Sequence, residues 1–105
     1  MAKYLMQASY GAKGVQGLIQ GGGSSRVAVV ESVAKQMGGT VESMYFSFGD
    51  ADVICICDMP DNVTAAAVSL AVNASGVTTA KITPLITPEE LDAAAKKVPS
   101  YTPPG

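Results

Sequence analysis

The pattern of hydrophobic and polar residues predicts four β-strands along the chain. At the start, Tyr4, Met6 and Ala8 alternate with other positions, so they lie on one face of a first strand. Two later runs of β-branched and aromatic residues flank a tight connection at Gly49, which is typical of a hairpin. Pro84 marks an edge strand or the end of the last strand. The predicted strands are residues 2–9, 40–48, 52–59 and 77–86.

Hydrophobic residues spaced three and four positions apart predict helices between and after these strands. In the first helical segment Val15, Leu18 and Ile19 form a short stripe, but three glycines weaken it, each by up to about 1 kcal/mol. We therefore expect a short, mobile turn of helix there, followed by a separate and longer helix. The predicted helical segments are residues 10–20, 25–37, 62–75 and 88–98.

Capping residues mark the ends of the longer helices. Side-chain oxygens of serine, threonine and aspartate accept hydrogen bonds from the free N–H groups of a first turn. The predicted N-caps are Ser24 or Ser25, Asp61 and Thr87. Thr87 is followed by Pro88 and then Glu90, which together predict a capping box. Gly38 and Gly39 end the first long helix as a glycine C-cap.

Both faces of the predicted hairpin are apolar. On the second strand, Met44, Phe46 and Phe48 share one face, while Val41 and Tyr45 share the other. The third strand repeats the pattern, with Ile54 and Ile56 opposite Val53, Cys55 and Cys57. An antiparallel sheet with one wet face normally alternates apolar and polar positions. Because the two helices can cover only one face, we expect the other face to meet a second copy of the chain.

The composition indicates one small domain that associates with itself. We divide the 105 residues into a single domain at 1–98 and an extended, proline-rich tail at 99–105. Charged residues make up only 15% of the chain, against a usual share of about 25%, so we expect a partner chain to cover part of the surface. The predicted partner is the protein itself, in a homodimer or a larger even oligomer.

Charge and hydropathy argue against nucleic-acid and membrane partners. The net charge is −2 and the isoelectric point is near 4.8, whereas nucleic-acid-binding proteins carry a basic patch. The least charged run, residues 62–80, is too polar to be a membrane span of about 20 apolar residues. The first residues lack the pattern of a signal peptide. We therefore predict a cytoplasmic protein.

The residue types limit the chemistry. Histidine is absent, which removes the commonest general base and the commonest metal ligand, so we predict no metal and no cofactor. Cys55 and Cys57 lie two positions apart on one face of a strand and are expected to be small buried residues of a reducing compartment. The alternative is a metal chaperone that uses the two thiols.

The order β-α-β-β-α-β with a final helix is the ferredoxin-like arrangement, an α+β fold with a four-stranded antiparallel sheet. Five segments also resemble the GYD-domain family, in the expected order and over nearly the whole chain. They are Met1–Leu5, Gly22–Arg26, Phe46–Val53, Ala71–Gly76 and Thr83–Glu90. The resemblance implies a dimeric α/β barrel, in which two sheets pack face to face, and no established reaction. The family's Gly-Tyr-Asp signature is replaced here by Gly49-Asp50-Ala51-Asp52, which lacks the tyrosine.

Two loops carry candidate ligand contacts. Ser24, Ser25 and Arg26 follow three glycines at a helix start, where free N–H groups, two hydroxyls and a cation can bind a phosphate or a carboxylate. The alternative is a capped helix with a flexible entry. At the hairpin, Asp50 and Asp52 can act as paired carboxylates, or they can cap the turn and face water.

A pocket at one end of the sheet is a third candidate. Ser9, Tyr10, Tyr45 and Arg26 converge there if the early helix folds over the sheet and Tyr45 points into the layer between sheet and helices. The alternative is ordinary packing of buried tyrosines whose hydroxyl groups are hydrogen-bonded.

These features support two functional hypotheses. The first is a homo-oligomeric protein that binds a small molecule, or acts through its assembly, without established catalysis. The second is a cofactor-independent monooxygenase- or isomerase-like enzyme, by analogy with other dimeric α/β barrels. Its polar groups would be Tyr10, Tyr45, Arg26 and Asp52. An apolar pocket with an electron-rich ligand favours the enzyme, and a filled core favours the interaction protein.

Overall fold

The computed structural model describes residues 1–105 as four strands and three helices. The strands are β1 (Ala2–Tyr10), β2 (Thr40–Phe46), β3 (Val53–Met59) and β4 (Thr78–Leu85). The helices are α1 (Ala12–Gln36), α2 (Asn62–Ala74) and α3 (Pro88–Ala95). None of these helices combines the length and the hydropathy that crossing a lipid bilayer requires.

The strands form one antiparallel sheet in the order β2-β3-β1-β4. Together with the β-α-β-β-α-β-α order of elements, this is the predicted α+β, ferredoxin-like fold. The predicted edge position of Pro84 is confirmed, because β4 is an edge strand in which Pro84 pairs with Tyr4 of β1. Proline lacks an N–H group, and an edge strand tolerates that loss.

One face of the sheet packs against α1 and α2 and forms the core. The predicted alternation on β1 is confirmed, since Tyr4, Met6 and Ala8 are buried on this face. Their partners across the sheet are the buried residues of β3 and β4: Val53, Cys55, Cys57 and Ala80. The opposite face carries no helix, and we call it the open face. It is formed by Lys3, Leu5, Gln7, Ser9, Thr40, Ser43, Tyr45, Ile54, Ile56, Asp58, Thr79, Lys81, Thr83 and Leu85.

A β-bulge changes the predicted faces of β2. The pairing of β2 with β3 shifts between Val41 and Ser43, so that Val41 pairs with Cys57 and Met44 with Cys55. An extra residue in one strand reverses the alternation beyond it. Val41 therefore packs against the core together with Met44, and the prediction that it shares a face with Tyr45 is wrong.

Helix α1 is two helical segments joined at a kink. Gly22 has φ 80° and ψ 165°, a conformation that residues with a side chain rarely adopt, and it is the one non-helical residue inside α1. The predicted division of this region is thus confirmed, but Ser24 and Ser25 lie inside the second segment, where neither acts as the predicted N-cap. Glycine takes over the cap position because it alone tolerates the positive φ angle.

The end of α1 has the predicted glycine cap. Gly38 has φ 78°, its N–H donates to the carbonyl oxygen of Lys35, and the N–H of Gly39 donates to that of Ala34 at 2.8 Å. Gly39 also lies directly against β3, so a Cβ there would overlap the carbonyl oxygen of Asp58 and come within 2.6 Å of the Met59 sulfur. This junction holds the second segment of α1 on the sheet.

The other two helices begin at the predicted caps. The Asp61 carboxylate accepts a hydrogen bond from the N–H of Thr64 at 2.8 Å, and this bond lowers the pKa of Asp61. Thr87 and Glu90 form the complete capping box. Helix α3 ends at Ala95 rather than at Val98. No residue of α3 is buried, so no packing against its own chain extends the helix further.

Candidate functional site

An apolar cavity of about 70 Å³ lies between the sheet and the two covering helices. Fourteen of its fifteen lining residues are hydrophobic. The floor is the covered face of the sheet, and the walls are the second segment of α1 and the inner side of α2. The lining residues are Tyr4, Met6, Arg26, Val29, Val30, Val33, Ala34, Val41, Cys55, Cys57, Met59, Ala65, Val68, Val72 and Ile82.

The one charged residue at this cavity is Arg26, the only arginine in the chain. It lies one turn after the kink at Gly22, on the second segment of α1. Its Nε atom is buried and has no hydrogen-bond partner. A buried polar group without a partner is unfavourable, because it has lost its hydrogen bonds to water. Arg26 is thus the polar group through which the cavity can recognise a ligand.

A larger, polar cleft of about 460 Å³ begins where the apolar cavity ends. Arg26 and Val29 line both of them. Glycines form much of the wall of the cleft, because the side of the first segment of α1 that faces the cleft carries Gly14, Gly17 and Gly21 and so has few side chains. The lining residues are Tyr10, Lys13, Gly14, Gly17, Leu18, Gly21, Gly22, Ser25, Arg26, Val29, Ser75, Val77 and Thr78.

The structure brings together only part of the predicted site. Tyr10, Ser25 and Arg26 line the cleft, whereas Ser24 is exposed and lines neither cavity. Tyr45 is 71% exposed on the open face, because it pairs with Ile54 there. The prediction that Tyr45 points into the layer between sheet and helices is therefore wrong.

Ser9 lies with the hairpin rather than with Arg26. Its hydroxyl donates to the carbonyl oxygen of Asp50 at 3.3 Å, and both residues line a separate surface groove of about 110 Å³. Ser9 points to the open face because β1 alternates, with Ala8 and Tyr10 on the covered side. The predicted convergence of Ser9 and Tyr45 with Tyr10 and Arg26 thus does not occur.

The two hairpin aspartates have structural contacts. The carboxylate of Asp52 accepts a hydrogen bond from the backbone N–H of Tyr10 at 2.8 Å, and the N–H of Asp52 donates to Ala8. Asp50 is exposed. Asp50 thus faces water, whereas the carboxylate of the half-buried Asp52 holds the end of β1 rather than capping its own turn. The connection between β2 and β3 is longer than predicted and spans residues 47–52.

The profile of the GYD domain family matches residues 4–95 of the 105-residue chain. The chain belongs to the GYD domain family. No curated protein and no solved structure matches it. The match spans β1 to α3, so the cavity, the cleft and Arg26 all lie within the GYD domain.

The two cysteines of the GYD domain are buried on the covered face, as predicted, and neither forms a disulfide. They face the cavity from the centre of β3. Interaction with the neighbouring thiol of Cys57, followed by burial, raises the pKa of Cys55, and the same interaction lowers the pKa of Cys57. No group of three or more cysteine or acidic side chains is arranged to hold a metal ion.

Sequence reasoning missed Lys13 and the glycine-lined wall of the cleft. The signal was present in the sequence, because Gly14, Gly17 and Gly21 recur at spacings of three and four residues and so leave one side of a helix without side chains. Gly14 permits close packing, since a Cβ there would lie 3.1 Å from the carbonyl oxygen of Val77.

Proposed function

We propose that this GYD-domain protein binds a small molecule with an apolar part in the cavity between the sheet and the two helices, and that it acts as a homo-oligomer. The observation that carries the proposal is the nearly all-hydrophobic cavity with one buried, unpartnered arginine nitrogen at its edge. Packed cores contain few voids larger than a water molecule. A cavity of this lining favours an apolar guest over water.

The cavity limits the size of that apolar part. Its volume of about 70 Å³ is roughly half that of an engineered cavity of about 150 Å³ that holds a benzene molecule. It therefore accepts a short or branched aliphatic group of a few carbon atoms, and a larger ligand extends into the neighbouring cleft.

The geometry favours binding over the enzymatic alternative. That alternative drew its polar groups from Tyr10, Tyr45, Arg26 and Asp52. Tyr45 lies on the open face, and the carboxylate of Asp52 holds the backbone of Tyr10. Tyr10 and Arg26 remain at the cleft, whose lining includes no carboxylate, and a base must lie within hydrogen-bond reach of the proton that it removes.

The open face supports self-association. Leu5 pairs with Ile56 across β1 and β3, and Ile54 pairs with Tyr45 of β2, whose ring is 71% exposed. The three aliphatic side chains are half-buried, so together with Tyr45 they form a contiguous, partly exposed apolar surface of the kind that is typical of an interface. A second copy that places its own open face here would bury both surfaces, which is the assembly that we propose.

The C-terminal arm, residues 86–105, also supports an oligomer. Every residue of this arm is exposed, including Ile86, Leu91, Val98 and Tyr101. The radius of gyration is 16.5 Å, against about 13 Å for a compact chain of this length. An isolated helix as short as α3, with eight residues, is only marginally stable in water. We propose that the arm packs on the neighbouring copy.

Native mass spectrometry of gently purified protein tests both parts of the proposal. We expect an even oligomer with an additional small mass for each chain, which disappears when the same sample is denatured. An even oligomer without added mass, followed by no thermal stabilisation by any small apolar molecule, would contradict ligand binding. A monomer at all concentrations would contradict the assembly.

A matched pair of variants locates the interface. Ile56→Asp places a charge at the centre of the open face and is expected to shift the oligomer to monomers. Val63→Asp changes an exposed valine on α2 and should leave the mass unchanged. Analytical ultracentrifugation measures both, and dissociation by the α2 variant alone would show that the interface lies elsewhere.

A further inference from the structure

The apolar cavity and the polar cleft meet at one cation without a partner. The Arg26 side chain lines both spaces, and its buried Nε atom makes no hydrogen bond. Guanidinium groups are always protonated and present several N–H donors in a plane. Arg26 as a whole is half-buried, and Nε is its one polar atom that is buried without an acceptor, which is unfavourable. The chain on its own therefore leaves this donor without a hydrogen bond.

The cleft is cationic although the protein is acidic. The chain has nine acidic and seven basic residues, yet the lining of the cleft contains Lys13 and Arg26 and no carboxylate. The ion pairs of the structure are both made by Lys3, with Glu42 and Asp58, at the opposite end of the sheet. Neither cation of the cleft is therefore neutralised by its own chain.

The backbone at the kink of α1 is accessible from the cleft. The second segment of α1 starts after Gly22, where the first segment ends. Gly21, Gly22 and Ser25 line the cleft at this start. A Cβ at Gly22 would meet no atom within 4 Å, so the backbone is open to a ligand here.

We propose that the ligand is an amphipathic anion. Its short aliphatic part occupies the apolar cavity, and its carboxylate or phosphate group accepts hydrogen bonds from Arg26, with Lys13 as a second positive charge. This inference rests on the proposed function, because the aliphatic part uses the same cavity. It adds the charge of the ligand and the residues that recognise it.

Nuclear magnetic resonance titration tests the inference with three probes: butanoate, butyl phosphate and butanamide. Butanamide has nearly the shape of butanoate without its charge. Because the chain has one arginine, a single Arg Nε–H resonance reports on Arg26. We expect butanoate or butyl phosphate to shift this resonance, and butanamide to bind about tenfold or more weakly than the better anion. The two anions together show which head group the cleft prefers.

Substitutions on α1 provide the controls. Arg26→Met should weaken binding of the better anion about tenfold or more, while Arg26→Lys should retain part of it. Lys13→Met should have a smaller effect, because Lys13 is exposed. Lys35→Met removes a lysine on the same helix outside the cleft and should have none. Binding of butanamide should be the same in all four variants.

The outcomes separate the inference from the function on which it rests. If butanamide binds as tightly as both anions, the cavity binds small molecules but the inference of an anionic ligand is wrong. If none of the three probes shifts any resonance of the cavity, the proposed function fails as well. If Arg26→Met dissociates the oligomer and leaves anion binding unchanged, the guanidinium serves the interface and the inference is overturned.

Discussion

The two helices that cover the sheet occupy equivalent places in the fold but are built in opposite ways. Helix α2 starts at a carboxylate cap, runs without interruption and carries no charged residue. Helix α1 has no side-chain cap, breaks at Gly22 and carries Lys13 and Arg26 to the cleft. Helix α2 thus runs unbroken beside β4, whereas the kinked α1 lines the polar cleft with both of its segments. The comparison teaches that local irregularity in α1 creates the candidate site.

The two helices are also attached to the sheet at opposite ends. The hydroxyl of Tyr4 donates to the side-chain oxygen of Asn62 at 2.6 Å, which holds the first turn of α2. Helix α1 is held at its other end, where Gly39 lies against β3. The first segment of α1 is held only near its start, where the N–H of Gly11 donates to the carbonyl oxygen of Val77 at 2.9 Å and Gly14 packs closely against the same carbonyl group.

The largest expected effect is at the anchored end of α1. Gly39→Ala places a methyl group against the backbone of Asp58, and backbone cannot yield as a flexible side chain does. We expect a loss of several kcal/mol of unfolding free energy, about 3 kcal/mol, as for other overpacked sites. Urea denaturation measures it. Gly17→Ala, which meets no atom within 4 Å, is the control and should be neutral or slightly stabilising.

A second prediction concerns the cation of the cleft. In the ligand-free protein, Arg26→Met removes a buried and unpartnered Nε atom, so it should stabilise the fold by about 1 kcal/mol. Thermal unfolding of variant and wild type without ligand measures this gain. A clear loss of stability would mean that the guanidinium already has a favourable partner.

A third prediction concerns the anchor of α2. Tyr4→Phe removes the hydroxyl that donates to Asn62, and its cost should be about 1 kcal/mol. Hydrogen exchange should then accelerate in the first turn of α2 and not in α1. Uniform acceleration over both helices would show that they do not behave as separate units.

A fourth prediction concerns the kink of α1, where a substitution should affect α1 and the cleft but not α2. Gly22→Ala forces a residue with a side chain to φ 80°, at a cost of about 1 kcal/mol. The alternative for the variant is to straighten α1, and this would alter the cleft. Nuclear magnetic resonance shifts of Tyr10 and Arg26, which line the cleft, should change, while those of α2 should not. Unchanged cleft resonances would contradict a role of the kink in shaping it.

The smallest effect is pH dependence at the cap of α2. The pKa of Asp61 is lowered in the folded protein by its hydrogen bond to Thr64. The ionised Asp61 carboxylate therefore stabilises the folded state fully above the pKa of an unfolded aspartate, about 3.9, and this stabilisation is lost as the pH falls through the lower pKa of the folded protein. Asp61→Ala should therefore lower the melting temperature modestly at pH 7 and not at pH 2. An equal difference at both pH values would contradict a charge-dependent cap.

Periodic features could be predicted from the sequence, because they depend on side-chain alternation and on local capping. The covered face of β1, the cap at Asp61 and the capping box at Thr87 all follow from residues close together in the chain. The bulge at Val41 was missed, because it is a property of two paired strands and not of one.

The candidate site was less predictable for a related reason. The sequence predicts Arg26 and Tyr10 as neighbours, and the structure has both of them at the cleft. The prediction for Tyr45 is wrong because the bulge between Val41 and Ser43 reverses the alternation of β2, so that Val41 faces the core and Tyr45 the open face. That the Nε atom of Arg26 is buried without a hydrogen-bond partner could not be predicted, since it depends on packing between residues far apart in the chain.

The most direct test of the central claim is whether a small apolar guest enters the cavity. Xenon binds apolar cavities without needing a polar contact, and methyl resonances report where it binds. We predict that xenon pressure shifts the methyl resonances of Val30, Val68 and Ile82, which line the cavity, and leaves those of the exposed Val63 and Leu91 unchanged. Equal shifts at lining and exposed methyl groups, or no shifts at all, would contradict the account.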